Sequence, residues 1–149
     1  MNLFIHLIFG HIAGDYLFQS EKMAKYKGSY NKYGYKWCFL HTIIYIASIF
    51  AFVTMIPLVI NYFVPNKMEV IYLSVWFYVI NFIGHYVMDY WSLGQKWLNV
   101  IRGRNFLNDF SSTDEYRDIA LAFSCMVYVI VDNGIHLMMM YYTGKLLGG

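Results

Sequence analysis

Four stretches of this chain, residues 2–19, 37–63, 69–93 and 118–142, run nearly free of charge for about the 20 residues that an α-helix needs to cross the hydrocarbon core of a bilayer. Helices satisfy their own backbone hydrogen bonds in lipid, so the pattern predicts an all-α chain. It reads as one domain over residues 1–149, an integral membrane bundle of four transmembrane helices. Pro57 is expected to kink the second helix and Pro65 to end it. Composition points the same way: with 59% hydrophobic and 13% charged residues, the chain holds more apolar side chains than a soluble domain of 149 residues can bury.

The basic residues are distributed unevenly. Lys22, Lys25, Lys27, Lys32 and Lys36 lie between the first two stretches, and Lys96, Arg102, Arg104 and Arg117 between the last two, whereas Lys67 and Lys145 fall on the other side. The positive-inside rule then predicts both long loops in the cytoplasm and both termini outside. In "QKWLNVIRGRNF", Trp97, Leu98 and Ile101 alternate with Lys96, Arg102 and Arg104. That pattern suits a short interfacial helix between the third and fourth spans, and equally a solvated basic loop.

Other classes are poorly served. Cys38 and Cys125 sit in apolar segments without CxxC spacing, as packing residues would, and offer no disulfide framework. The first segment lacks a basic leader region and a small-residue cleavage site, so it is expected to stay as structure. There is no Gly-rich phosphate loop and no Ser-His-Asp spacing. No nucleic-acid motif occurs, and no nucleotide cofactor is implied.

Against this apolar background the ionisable residues stand out. His6, His11, Asp15, His41, His85, Asp89, Asp132 and His136 fall within or at the ends of the four stretches, and six of them form pairs four residues apart: "HIAGD", "HYVMD" and "DNGIH". Residues at this spacing share one helix face, so each pair aims a carboxylate and an imidazole the same way. A charge at mid-bilayer costs on the order of 2.5–3.5 kcal/mol even on lenient scales, so three carboxylates require compensation. A divalent cation supplies it, since neutral imidazole and ionised carboxylate are its ordinary ligands.

The candidate metal ligands are therefore His11, Asp15, His41, His85, Asp89, Asp132 and His136, holding one or two ions of zinc, manganese or iron. Most lie near the basic side of the bundle, with Asp132 and His136 farther in, as a floor. His6 reads as interfacial or core. Gln19, Asn81 and Asn133 read as hydrogen-bond links between helices or as partners of the ligands, and the methionines of "LMMMYY" as lipid-facing packing. Plain Asp–His pairing between helices is the structural alternative.

Taken together, "HIAGDYLFQSEKMA", "FLHTIIY", "GHYVMDY" and "DNGIH" resemble the small bacterial and phage membrane proteins classed as domain of unknown function 3307, over nearly the whole chain. The matching positions are His11, Asp15, Gln19, Lys22, His41, His85, Asp89, Asp132, Asn133 and His136; Asn133 stands where Gln is the more usual residue. The resemblance implies a bacterial inner-membrane location. It extends more distantly to inner-membrane metal-dependent hydrolases, and it supplies no substrate.

The leading expectation is a membrane-embedded hydrolase in which Asp15 or Asp89 acts as general base. Its site would be fringed by Lys22, Lys25, Lys96, Arg102 and Arg104, which suits an anionic lipid or phosphoester substrate at the cytoplasmic leaflet. Alternatives are a metal or proton conduit, a membrane di-iron oxidoreductase, and a non-enzymatic membrane effector with a structural metal.

Overall fold

The computed structural model describes residues 3–29, 33–65, 67–102 and 117–147, and the side chains of all of these except 101, 102 and 117–120. The basic residues Lys32 and Arg104 lie outside the described residues, as does the side chain of Arg102. The described chain is helical, with no strand. Its elements are α1 Leu3–Leu17, α2 Glu21–Tyr26, α3 Gly34–Phe63, α4 Val75–Tyr90, α5 Leu93–Arg102 and α6 Arg117–Leu147.

Among the described residues, two helices are long and apolar enough to cross a membrane: α3, and α6 over Leu121–Leu147. The apolar α1 is shorter, and α4 has 16 residues, about 24 Å of helix. The third stretch becomes helical later than its hydropathy suggests because side chains tie its first residues down as loop. Asn61 Nδ2 donates to the Met68 carbonyl at 2.6 Å, its Oδ1 accepts from Met68 N at 2.9 Å, and Thr54 Oγ1 donates to the Ile71 carbonyl at 2.9 Å. Ser74 then caps α4, accepting from Trp76 N at 3.2 Å.

Helix α3 runs unbroken from Gly34 to Phe63. Pro57 has no N–H to give the carbonyl four residues back, and the chain accommodates this with a π-turn over Ala51–Met55 just before it. A second π-turn, Ala13–Leu17, ends α1 and carries Asp15. The widened turn in α3 frees the Phe52 carbonyl, which accepts from His6 Nδ1 at 2.8 Å. That bond makes His6 a buried core histidine.

Helix α1 packs on α3 through Gly10 and Gly14. A Cβ at position 10 would stand 2.8 Å from Ile49 Cα, and one at position 14 would stand 2.9 Å from Tyr45 Cα. Small residues four apart let two helix backbones approach this closely. The approach brings His11 and Asp15 against His41 and Tyr45. Each helix then presents an inward stripe at four-residue spacing: Leu7, His11 and Asp15 on α1; His41, Tyr45, Ile49 and Val53 on α3; Phe77, Asn81, His85 and Asp89 on α4; Asp132, His136 and Met140 on α6. At one end the stripes close into an apolar core of Leu7, Tyr45, Ile49, Val53, Phe77 and Met140, all with no exposed surface. At the other end they converge as acids and imidazoles.

Two packing expectations change. Met138 does face outward, but Met140 is core. Cys38 is buried as expected, whereas Cys125 is exposed. Between α4 and α5, Ser92 adopts a left-handed φ of 48° and turns the chain, so that α5 follows as a separate amphipathic helix. Leu98 is buried in it, while Trp97 and Val100 are exposed.

Candidate metal centre

Three helices deliver one ligand group of four side chains. Asp15 comes from the π-turn of α1, His41 from the first turns of α3, and His85 and Asp89 from the last turns of α4; all four are buried, and one ligand atom from each lies within 4.8 Å of the others. His41 Nε2 is 3.0 Å from Asp15 Oδ1, 3.1 Å from Asp89 Oδ2 and 3.0 Å from His85 Nε2. His85 Nε2 is 3.6 Å from Asp15 Oδ1 and 3.4 Å from Asp89 Oδ2. A tetrahedral ion with ligands at about 2.0–2.1 Å has edges of about 3.3 Å, so these separations suit a single small divalent cation.

A second group shares Asp89. Asp89, Asp132 and His136 also bring one ligand atom each within 4.8 Å of one another. Asp89 Oδ1 lies 3.6 Å from His136 Nε2, and Asp132 Oδ2 lies 3.7 Å from His136 Nδ1.

The donor set also leaves a buried polar atom unmatched. His136 Nε2 is buried without a hydrogen-bond partner, and the buried Asp15 Oδ1 and Asp89 Oδ2 meet only ion-pair contacts from His41, His85 and Lys27. Buried polar atoms are normally satisfied, and an exception in such a cluster marks a site made for something else. Divalent cations at the two groups would take up all three.

His11 lies outside both groups. Its Nε2 faces Asn133 Oδ1 at 2.5 Å, while its Nδ1 is 3.1 Å from both Asp15 Oδ2 and the Tyr45 hydroxyl. Asn133 is itself held by donating to the Val129 carbonyl and to the Tyr16 hydroxyl, each at 2.5 Å. This chain of contacts orients Asp15 from behind, the usual task of a partner to a ligand. Asn81 links helices as its composition suggests, donating to the Phe77 carbonyl and to Thr143 Oγ1, both at 2.8 Å.

Two residues of the centre are not visible as such in the sequence. Lys27, just after α2, reaches in from the basic loop and places its ammonium 2.8 Å from Asp89 Oδ2 and 3.4 Å from His41 Nε2. Its signal was arithmetic: three carboxylates in an apolar bundle call for a cation, and the first loop is full of lysines. Tyr45 stacks on His85 with ring centroids 3.6 Å apart and an interplanar angle of 18°, and its hydroxyl donates to Met140 Sδ at 3.1 Å. It follows His41 by one helical repeat, which was the clue available.

The model of a family described as a protein of unknown function (DUF3307) matches residues 3–144, and the chain belongs to that family. No curated protein and no solved structure matches it.

Proposed function

We propose that this DUF3307 protein is a membrane-embedded, metal-dependent hydrolase of phosphoesters or lipid-type substrates, working at the cytoplasmic leaflet. The observation that carries the reading is the convergence of Asp15 Oδ1, His41 Nε2, His85 Nε2 and Asp89 Oδ2 at the edge lengths of a coordinated ion. Lys27 balances one of the three carboxylates. The two negative charges that remain match one divalent cation, and burial makes leaving them uncompensated costly.

Four helices cross the bilayer in this reading, α1 and α4 completing the set with α3 and α6. Large apolar side chains turned outward support it: Phe9, Ile12, Ile83, Ile130 and Met138 are each about half or more exposed, as a lipid-facing surface requires. The basic loops lie in the cytoplasm, and α5 lies in the headgroup layer with Trp97 outward. A conduit is disfavoured, because the apolar core from Leu7 to Met140 closes the bundle beyond the acids and imidazoles.

A bound divalent cation with an open position makes water acidic enough to react near neutrality and polarises a phosphoryl oxygen. Hydrolysis then adds water across the ester. The water oxygen bonds to phosphorus as the P–O bond to the leaving alkoxide breaks; one water proton stays on the new phosphate oxygen, and the other passes to a carboxylate of the centre and from there to the alkoxide. Lys27 is placed to meet an anionic substrate at the loop side.

The test is elemental analysis of protein purified in detergent, beside His85→Ala and Asp89→Asn, followed by turnover of p-nitrophenyl phosphate and of phospholipid vesicles before and after chelation. Stoichiometric metal lost in both variants, with turnover that chelator abolishes, is the expected result. Metal content unchanged by either substitution overturns the reading.

A further inference from the structure

We propose that the centre takes a second divalent cation, held by Asp89 Oδ1, Asp132 and His136 Nε2, with Asp89 bridging the two ions. This deepens the hydrolase reading and rests on it: it identifies the second position as the one that meets substrate.

The two oxygens of Asp89 face different ways. Oδ2 looks toward His41 and His85, 3.1 and 3.4 Å away, while Oδ1 looks toward His136 Nε2 at 3.6 Å. A carboxylate arranged like this presents one lone-pair direction to each of two neighbouring cations. His136 is prepared for the second. Its Nδ1 donates to the main-chain carbonyl of Asp132 at 2.9 Å, which leaves Nε2 as the lone-pair nitrogen. That nitrogen belongs to a side chain only 1% exposed and has no hydrogen-bond partner. Pairing Asp132 with His136 would not need it.

The groups differ in the way that closed and open sites differ. Four protein ligands would surround a first ion and leave it little room for substrate, whereas three would leave room at the second. Exposure follows the same division: the Asp15 and Asp89 side chains are 9% and 2% exposed, and that of Asp132 is 19%. Asp132 is thus the most exposed of the three carboxylates, not part of a buried floor, and on this division the first ion is the retained one and the second the exchangeable one. Charge specifies what it receives. One divalent ion neutralises the three carboxylates and Lys27 together, so a second brings two positive charges, the complement of a phosphate monoester dianion.

The experiment is a cobalt(II) titration of the full chain, stripped with chelator in detergent, read by bound metal and by the visible spectrum. Two equivalents are expected. The first is tight and gives the intense absorption of a four-coordinate ion, and the second is weaker and gives a fainter band that inorganic phosphate perturbs. Asp132→Asn and His136→Gln should each lose the second equivalent while keeping the first band. A single equivalent in the unaltered chain overturns the second site and leaves the first standing; so do two equivalents retained in both variants. No cobalt bound at all overturns this site and the hydrolase reading beneath it. The count in the unaltered chain decides the matter whether or not either variant folds.

Discussion

Lys27 Nζ lies 2.8 Å from Asp89 Oδ2, joining the basic loop to the carboxylate that both ligand groups share. Burial alone would lower this lysine's pKa, but Asp89 and then Asp15 outweigh it and hold the pKa above the ordinary lysine value. A raised pKa contributes stability that is fully present below the unfolded lysine's range and is lost only as pH climbs through the folded value. At neutral pH the pair is therefore intact. Lys27→Met should lower the stability of metal-free protein by about 3 kcal/mol, since it leaves a buried carboxylate without its cation. Thermal unfolding in detergent reads the loss. Added zinc or manganese should restore part of it, by supplying the missing charge, and an unchanged midpoint for the metal-free variant contradicts the pairing.

The approach of α1 to α3 makes a second prediction. At Gly14 a Cβ would meet Tyr45 Cα at 2.9 Å and Tyr45 Cδ2 at 3.0 Å, and a backbone atom cannot step aside. Gly14→Ala should destabilise the protein by about 1–3 kcal/mol, the usual cost of overpacking, and lower bound metal as Asp15 moves off His41. Gly134 is the control within the same fold. Nothing lies within 4 Å of a Cβ there, so Gly134→Ala should be neutral or gain up to about 1 kcal/mol from helix propensity. Equal losses at the two positions would remove the close-packing argument.

These relationships show which parts of the molecule the sequence discloses. The pairs His11–Asp15, His85–Asp89 and Asp132–His136 are legible because helical periodicity alone puts positions four apart on one face, and few other ionisable residues compete in the apolar stretches. Lys27 was hidden among the five lysines of its loop, and Tyr45 among fifteen tyrosines. The π-turn carrying Asp15 has no residue signature. It changes the phase of the helix after His11, and so separates a residue that looks like a ligand from the one that joins the ligand group. The late start of α4 depends on Asn61 and Thr54 capturing loop carbonyls from another element, information that hydropathy does not contain.

The link between α4 and α6 offers a measurement independent of metal. Asn81 Nδ2 donates to Thr143 Oγ1 at 2.8 Å between two helices at the apolar end of the centre. Such bonds in membrane bundles contribute about 0.6 kcal/mol on average and up to about 1.7 kcal/mol. A double-mutant cycle of Asn81→Ala and Thr143→Ala should give a coupling in that range by reversible unfolding. Because Asn81 also bonds within its own helix to the Phe77 carbonyl, the single Asn81 variant should lose more than the single Thr143 variant.

His11 and His85 separate orientation from ligation. Both are buried histidines one helical repeat before an aspartate, but His85 Nε2 faces the ligand group directly, while His11 has its nitrogens engaged by Asn133, Asp15 and Tyr45. Removing a ligand from a four-coordinate site should abolish tight binding, so His85→Ala is expected to lose the first equivalent outright. Removing a partner that aims a ligand weakens affinity by about 10–100-fold and leaves the stoichiometry intact. His11→Ala should therefore still bind the ion at saturating concentration, with the four-coordinate cobalt spectrum retained. Asn133→Ala, which releases His11 without touching Asp15, should shift affinity in the same direction by less. If His11→Ala instead loses the equivalent completely, His11 is a ligand and the contacts seen at Asn133 and Tyr45 give way when metal binds.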